Sequence, residues 1–250
     1  MAFRKKAAFI LTHKPDILII IECEHPDKLL FTTDLPKPKD TPWFGKNQHK
    51  GLAILSYGDY RFKVLENHND NFKMIIPIAV TEGHFDFNLF LIWAYNPDDT
   101  EGRYITQVWK AVSHYDELLT DRPTMLIGDF NSNTIWDYKK HRLGSHAGVI
   151  KQLENKKIFS TYHLHYNQIQ GTENIRHFIC IGAPPHGGCP HPTFLEYTPD
   201  KCIKQIYPNP KKPETLICGQ RIILGNFNLQ KKSTNSVPRY RHTCTEQKKF

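Results

Sequence analysis

The sequence predicts an α/β fold of packed sheets with helices outside. Three observations lead there. Short apolar runs bounded by turn residues recur from Ile17 to Tyr95. Two stretches, Tyr104 to Leu119 and Ser145 to Leu153, instead carry apolar residues at helical spacing. The two kinds alternate along the chain, which suits packed sheets with helices outside.

Taken in order, Phe3, Ala7, Ile10 and Leu11 share one side at helical spacing, so residues 3 to 13 are read as a helix. The run Ile17-Leu18-Ile19-Ile20-Ile21 follows as a buried strand. His25 to Lys50, rich in Pro, Lys and Asp, is read as a long surface loop containing Trp43-Phe44-Gly45. Strands are then expected at Gly51 to Tyr57, Tyr60 to Leu65, Phe72 to Val80 and Phe87 to Tyr95. The short turns Gly58-Asp59 and Glu82-Gly83-His84 imply that the strands on either side are antiparallel neighbours. A helix along Tyr104, Val108, Ala111, Val112, Tyr115, Leu118 and Leu119 ends before Asp121-Arg122-Pro123. The buried strand Met125-Leu126-Ile127 comes next and finishes in Gly128-Asp129-Phe130-Asn131. Ser145 caps a helix carrying Val149, Ile150 and Leu153, and Ile158 to His165 returns as a strand. Past Gln170 the pattern dissolves among prolines and glycines, leaving Arg221 to Leu224 as the one strand candidate.

A chain of 250 residues can bury a large core, and its 39% hydrophobic and 23% charged residues match globular usage. No apolar stretch approaches the roughly 18 residues of a spanning helix, and no signal core forms before His13-Lys14-Pro15-Asp16. The expectation is a soluble, cytoplasmic protein without a membrane partner; no specific protein partner is indicated. The six cysteines fix no disulfide pairing. The net charge of +8 is unevenly spread: from Lys201 onward eleven Lys and Arg face two acids, a balance of +9, so the first 200 residues carry −1. Residues 1–195 are therefore read as the domain and 196–250 as a basic, divergent tail.

Two acids stand just past buried strands, Glu22 and Asp129. A carboxylate there is held by rigid backbone yet faces solvent, so it can coordinate a hard cation such as Mg²⁺ through oxygen. Asn131, two residues beyond Asp129, points the same way if strand geometry persists. Taken singly, each is equally an ordinary turn residue.

The four segments Asp16 to Glu22, Lys50 to Ser56, Ala94-Tyr95-Asn96-Pro97 and Ile127 to Asn131, in that order, resemble the endonuclease/exonuclease/phosphatase superfamily, which includes deoxyribonucleases and apurinic endonucleases. The similarity covers about residues 1 to 170, with His191-Pro192-Thr193-Phe194 as a further short motif. The resemblance implies a two-sheet β-sandwich flanked by helices, four layers in the order α/β/β/α and here incomplete at both ends, and a Mg²⁺- or Mn²⁺-dependent phosphoesterase with nucleic acid or another phosphodiester as substrate. By the same resemblance Glu22 and Asp129 bind metal, Asp129 positions or deprotonates the attacking water, and Asn131 and Tyr95 contact the phosphate. The alternative is a catalytically impaired remnant, or a nucleic-acid-binding module, that keeps the fold without turnover.

The departures from this family are specific. The first strand of the family, ending in an Asn near the metal, has no counterpart, and no Asp-His dipeptide supplies the final Ser-Asp-His motif. A frame change in the coding sequence would produce the tail's altered composition, and exposed sheet edges with low stability are expected. Cys180, His186, Cys189 and His191 have zinc-binding side chains, but their spacing is not a common structural-zinc pattern, and ordinary loop residues are the preferred reading. His146 opens a helix and is read as a surface residue rather than as the missing catalytic His. The basic tail could contact phosphates unselectively, but it is read as a solvated extension because aromatic residues for base stacking are few.

Overall fold

A computed structural model describes residues 3–33, 35–95, 104–137, 144–160, 163, 167–172, 179–182 and 221–225, the last two segments by backbone alone. The chain begins with a 3₁₀ turn, Phe3–Lys5, and a short helix α1, Ala7–Leu11. Strand β1, Ile17–Cys23, follows; after it come β2, Trp43–Asn47, and β3, Lys50–Ser56. Strands β4, Arg61–Val64, β5, Ile75–Thr81, and β6, Phe87–Trp93, lead to helix α2, Ile105–His114, and the single turn α3, Leu118–Asp121. Strand β7, Thr124–Asp129, precedes helix α4, His146–Asn155, and strands β8, Phe159–Ser160, β9, Ile179–Gly182, and β10, Arg221–Gly225.

The strands form a four-stranded sheet, β10-β1-β3-β2, and a six-stranded sheet, β4-β5-β6-β7-β9-β8. Pairing is antiparallel except between β6 and β7, where the helical crossover through α2 makes a parallel connection. The predicted sandwich is therefore present, and alternation along the strands explains why. Ile17, Ile19 and Ile21 of β1 and Leu52 and Ile54 of β3 face Ile76, Ile78, Leu89, Leu91, Met125 and Ile127 of the second sheet. The intervening residues Leu18, Ile20, Ala53 and Leu55 turn the other way and are covered by Phe3, Ala7 and Ile10. On the far side, Phe90, Ile92 and Leu126 meet Val108, Ala111 and Val112 of α2 and Val149, Ile150 and Leu153 of α4. Three apolar layers thus separate four layers of structure. Among the described residues no helix is long and apolar enough to cross a membrane.

Several sequence expectations need correction. The stretch read as a loop from His25 to Lys50 contains β2, because Trp43 and Phe44 lie against β3. The Gly58-Asp59 turn does not make a hairpin: β3 belongs to one sheet and β4 to the other, so this turn carries the chain between sheets. Glu82-Gly83-His84 does join antiparallel neighbours, β5 and β6. The expected strand from Phe72 begins at Ile75, since Phe72 sits in a turn whose carbonyl accepts the Ile75 N–H. Of the return strand expected from Ile158 to His165, the described residues show Phe159–Ser160, and His163 is helical; residues 161, 162, 164 and 165 lie outside the described residues. His146 is 1% exposed instead of lying on the surface. It occupies the first position of the same helical stripe as Val149, Ile150 and Leu153, at spacings of three, four and seven. Nor is β1 left as an open edge: β10 pairs with it from Ile17↔Gly225 to Ile21↔Arg221. The strand expected at Arg221 to Leu224 supplies that cover.

Burial has a chemical consequence for Cys23, Tyr57 and Tyr60. Cys23 is fully buried, and loss of hydration pushes its thiol from 9.0 up to about 12, with a smaller contribution from the charge of Glu24. Tyr57 and Tyr60, also desolvated, move from 10.0 to about 12. For each group the folded state holds its proton more tightly than the unfolded chain does. The associated stability is complete below pH 9 and is lost as pH rises through about 12. Chemical denaturation at a series of pH values is expected to show a steady fall in unfolding free energy above pH 9, and replacing Cys23 by Ala should flatten its earliest part.

Candidate active site

The first candidate residue, Glu22, owes its position to an irregularity in β1. Unbroken alternation would send residue 22 outward with Leu18 and Ile20 and turn Cys23 toward the sandwich interior. A bulge intervenes: the register with β3 shifts between Ile21↔Leu52 and Cys23↔Gly51, and Glu22 takes φ 61°. Cys23 is thereby restored to the outer core beside Phe3 and Leu29, and Glu22 is left at the strand end with its side chain 30% exposed. A left-handed φ at a residue other than Gly or Asn costs free energy and is maintained only by its surroundings.

Asp129 ends β7 and is 8% exposed. Its strand neighbour in the parallel pairing is Trp93, and its carbonyl accepts the Ala94 N–H at 2.8 Å. Gly128 prepares this corner at φ 146°, a conformation that side chains rarely adopt. A Cβ there would lie 1.8 Å from the Ile92 carbonyl oxygen. Asn131, with φ 46°, donates its N–H to Asp129 Oδ1 at 3.0 Å, and its side-chain amide donates to the Ala94 carbonyl. Asn tolerates this backbone region better than most residues. The hydrogen-bonded loop therefore locks Asp129 and Asn131 to the end of β6.

The two strand ends are connected by residues that the sequence reading did not single out. Lys50, the first residue of β3, reaches Glu22 Oε1 at 2.7 Å, while its ammonium lies 5.2 Å from the ring centre of Trp93 in the opposite sheet. Tyr95, two residues past Trp93, places its ring 5.5 Å from that indole. Glu22, Trp93, Tyr95 and Asp129 consequently lie at one end of the sandwich, with Trp93 and Asp129 on adjacent strands roughly 4.8 Å apart. Lys50 was detectable in principle: it begins the strand antiparallel to β1, so it must lie beside the end of β1 that carries Glu22. What hid it was the reading of His25 to Lys50 as a loop.

An oxygen-rich pair of carboxylates suits a hard cation, and the Lys50 ammonium already marks a position beside Glu22 where positive charge is favoured. Among the described residues no cluster of three or more His, Cys, Asp or Glu side chains could hold an ion. Water and substrate oxygens would have to complete the coordination of a cation at Glu22 or Asp129, as Mg²⁺ commonly requires. Asn96-Pro97 and His191-Pro192-Thr193-Phe194 lie outside the described residues, as do His186, Cys189 and His191 of the considered zinc set; Cys180 is described by its backbone in β9.

No family model matches the chain. No curated protein matches it either. Similar solved structures include the endonuclease domain of TRAS1, a telomere-specific non-LTR retrotransposon, at 11% identity and TM-score 0.43, covering 72% of this chain and 77% of that one. A 3′-5′ exonuclease from Neisseria meningitidis aligns at 16% identity and TM-score 0.49, over 73% and 84% of the two chains. An AP endonuclease from Archaeoglobus fulgidus aligns at 14% identity and TM-score 0.46, over 73% and 83%.

The geometry at Gly128 makes a direct prediction. Gly128→Ala is expected to cost about 3 kcal/mol or more, because both the backbone angle and the Ile92 carbonyl oppose a side chain. Denaturant titration monitored by the near-ultraviolet signal of the tryptophans measures this loss.

Proposed function

We propose that this protein is a metal-dependent phosphodiesterase of the endonuclease/exonuclease/phosphatase type, acting on nucleic acid. One observation supports the reading most strongly. The contacts from Glu22 through Lys50 and Trp93 to Asp129 join two acids 107 positions apart in the sequence at one end of the sandwich. The motif order along the chain supports it independently. A Mg²⁺ or Mn²⁺ ion held by Glu22, with Asp129 nearby, would polarise a phosphoryl oxygen and stabilise the charge that gathers there.

The protein's own groups supply the remaining chemistry in this proposal. Asp129 accepts a proton from the attacking water through the carboxylate that Asn131 N–H helps to fix. Asn131 has a second amide N–H beyond the one given to Ala94, available for a phosphate oxygen. The Tyr95 hydroxyl donates to the same phosphate, and fixed donors aimed at developing charge lower the barrier without reorganising. A polynucleotide is favoured over a small phosphoester by the loop that follows Asn131. There Ile135 and Trp136 stand 56% and 52% exposed, and five residues of chain keep Trp136 within about 18 Å of Asn131. An aromatic ring held beside a phosphate site can stack on a base.

The alternative reading, a binding module without turnover, draws on the absence of an Asp-His dipeptide from the sequence. Cleavage of supercoiled plasmid, labelled single-stranded DNA and RNA, and bis-p-nitrophenyl phosphate distinguishes the two. The expected result is cleavage with Mg²⁺ or Mn²⁺ that chelation abolishes. Asp129→Asn should lower kcat by about 10²–10⁴-fold, and Glu22→Gln should weaken metal affinity by about 10-fold or more. Binding of these substrates with no metal-dependent turnover on any of them would favour the module.

A further inference from the structure

Lys50 is in ion-pair contact with the proposed metal-binding carboxylate, and its placement is constrained from two sides. Its backbone begins β3, beside the bulged end of β1. Its ammonium meets Glu22 Oε1 at 2.7 Å and also lies over Trp93, on the opposite sheet, at 5.2 Å from the ring centre. Lys50 and Lys46, on the same hairpin, are both exposed, and it is Lys50 whose ammonium meets Glu22. Its second contact is what distinguishes Lys50: the Trp93 face attracts its head group to the mouth of the site also when the carboxylate is otherwise engaged.

A divalent ion and an ammonium cannot occupy the same lone pairs of Glu22 Oε1. We propose that Lys50 is a positioning residue that competes with the metal, filling the position beside Glu22 in the metal-free protein and yielding it when an ion binds. Once displaced, the ammonium stays at the site entrance over Trp93 and contacts the backbone phosphate of the incoming nucleic acid. The exchange couples ion loading to substrate capture: an ion at Glu22 frees a cation for phosphate. This rests on the proposed function above, since it takes Glu22 as a metal ligand.

Two measurements on the full-length chain test it, neither depending on turnover. The first is Mn²⁺ binding by calorimetry without nucleic acid. Lys50→Met is expected to bind Mn²⁺ about two- to fivefold more tightly, the range set by loss of a partly exposed ion pair. Lys50→Arg and Lys46→Met should match the unsubstituted protein; the latter removes the same charge from the same hairpin and controls for a general field effect. The second is binding of a fluorescent oligonucleotide across a salt series in the presence of Ca²⁺. Lys50→Met should bind more weakly, with the magnitude of the log–log salt slope reduced by about one. Circular dichroism melts confirm that each variant is folded, and Lys50→Gln replaces Lys50→Met if the latter is not. Unchanged or weaker Mn²⁺ binding by the Lys50 variant, or an equal gain from Lys46→Met, overturns the proposal. If Glu22→Gln nevertheless weakens Mn²⁺ binding, the metal reading survives that failure. If neither Glu22→Gln nor Lys50→Met alters Mn²⁺ affinity, the metal reading itself fails.

Discussion

Burial of two apolar sheet faces against each other is the constraint on which the remaining architecture depends. Ile17, Ile19 and Ile21 can be removed from water only if β1 lies over β5, β6 and β7, and that overlay fixes where the strands stop. β1 and β7 both end at the rim that carries Trp93, because Lys50 touches Glu22 at one sheet and the Trp93 ring at the other. The polar residues of the candidate site are therefore positioned by hydrophobic surface they do not themselves contribute. Polar groups at the ends of buried strands gain rigidity from the core while keeping access to solvent.

Three backbone conformations that ordinary residues avoid occur at the same rim. Glu22 at φ 61°, Gly128 at φ 146° and Asn131 at φ 46° lie within or immediately after the strands that deliver the two acids. Each redirects the chain as regular pleating ends. Without the bulge at Glu22, strict alternation would send the carboxylate outward and turn the Cys23 thiol inward. Strain at such positions is sustained by packing on both sides, here the Phe3 and Leu29 cluster around Cys23 and the parallel pairing of β7 with β6.

Much of this was legible in the sequence because the relevant signals are local. The alternation within residues 60–65, the apolar run of β1 and the helical stripe of α2 each report which face is buried without knowledge of the partner. Glu22, Asp129 and Asn131 were picked out as candidates by their place after apolar runs, and Tyr95 by the motif it belongs to. What escaped was non-local. A two-residue turn at Gly58-Asp59 looks like a hairpin whether its strands join one sheet or two, and only the packing of β4 against β5 decides. Trp43 and Phe44 sit in a polar, proline-containing stretch, so β2 had too little apolar pattern to announce itself. His146 was judged by its place at the start of a helix, although its spacing to Val149, Ile150 and Leu153 already placed it on the buried stripe. Lys50 entered only as the first residue of a motif, because its significance depends on a carboxylate 28 residues earlier and an indole 43 residues later.

The pairing of β1 with β10 has a bearing on how the chain reaches this state. The two strands are separated by about 200 residues, and at a synthesis rate of roughly 5–20 residues per second the partner of β1 emerges about 10–40 s after β1 itself. For that interval one flank of a strongly apolar strand waits without its final hydrogen-bonding neighbour while the second sheet and its helices are being made. Contacts between such distant segments are slow to close. The nascent protein is consequently most open to capture by chaperones, or to mispairing with another copy of itself, during translation rather than after release.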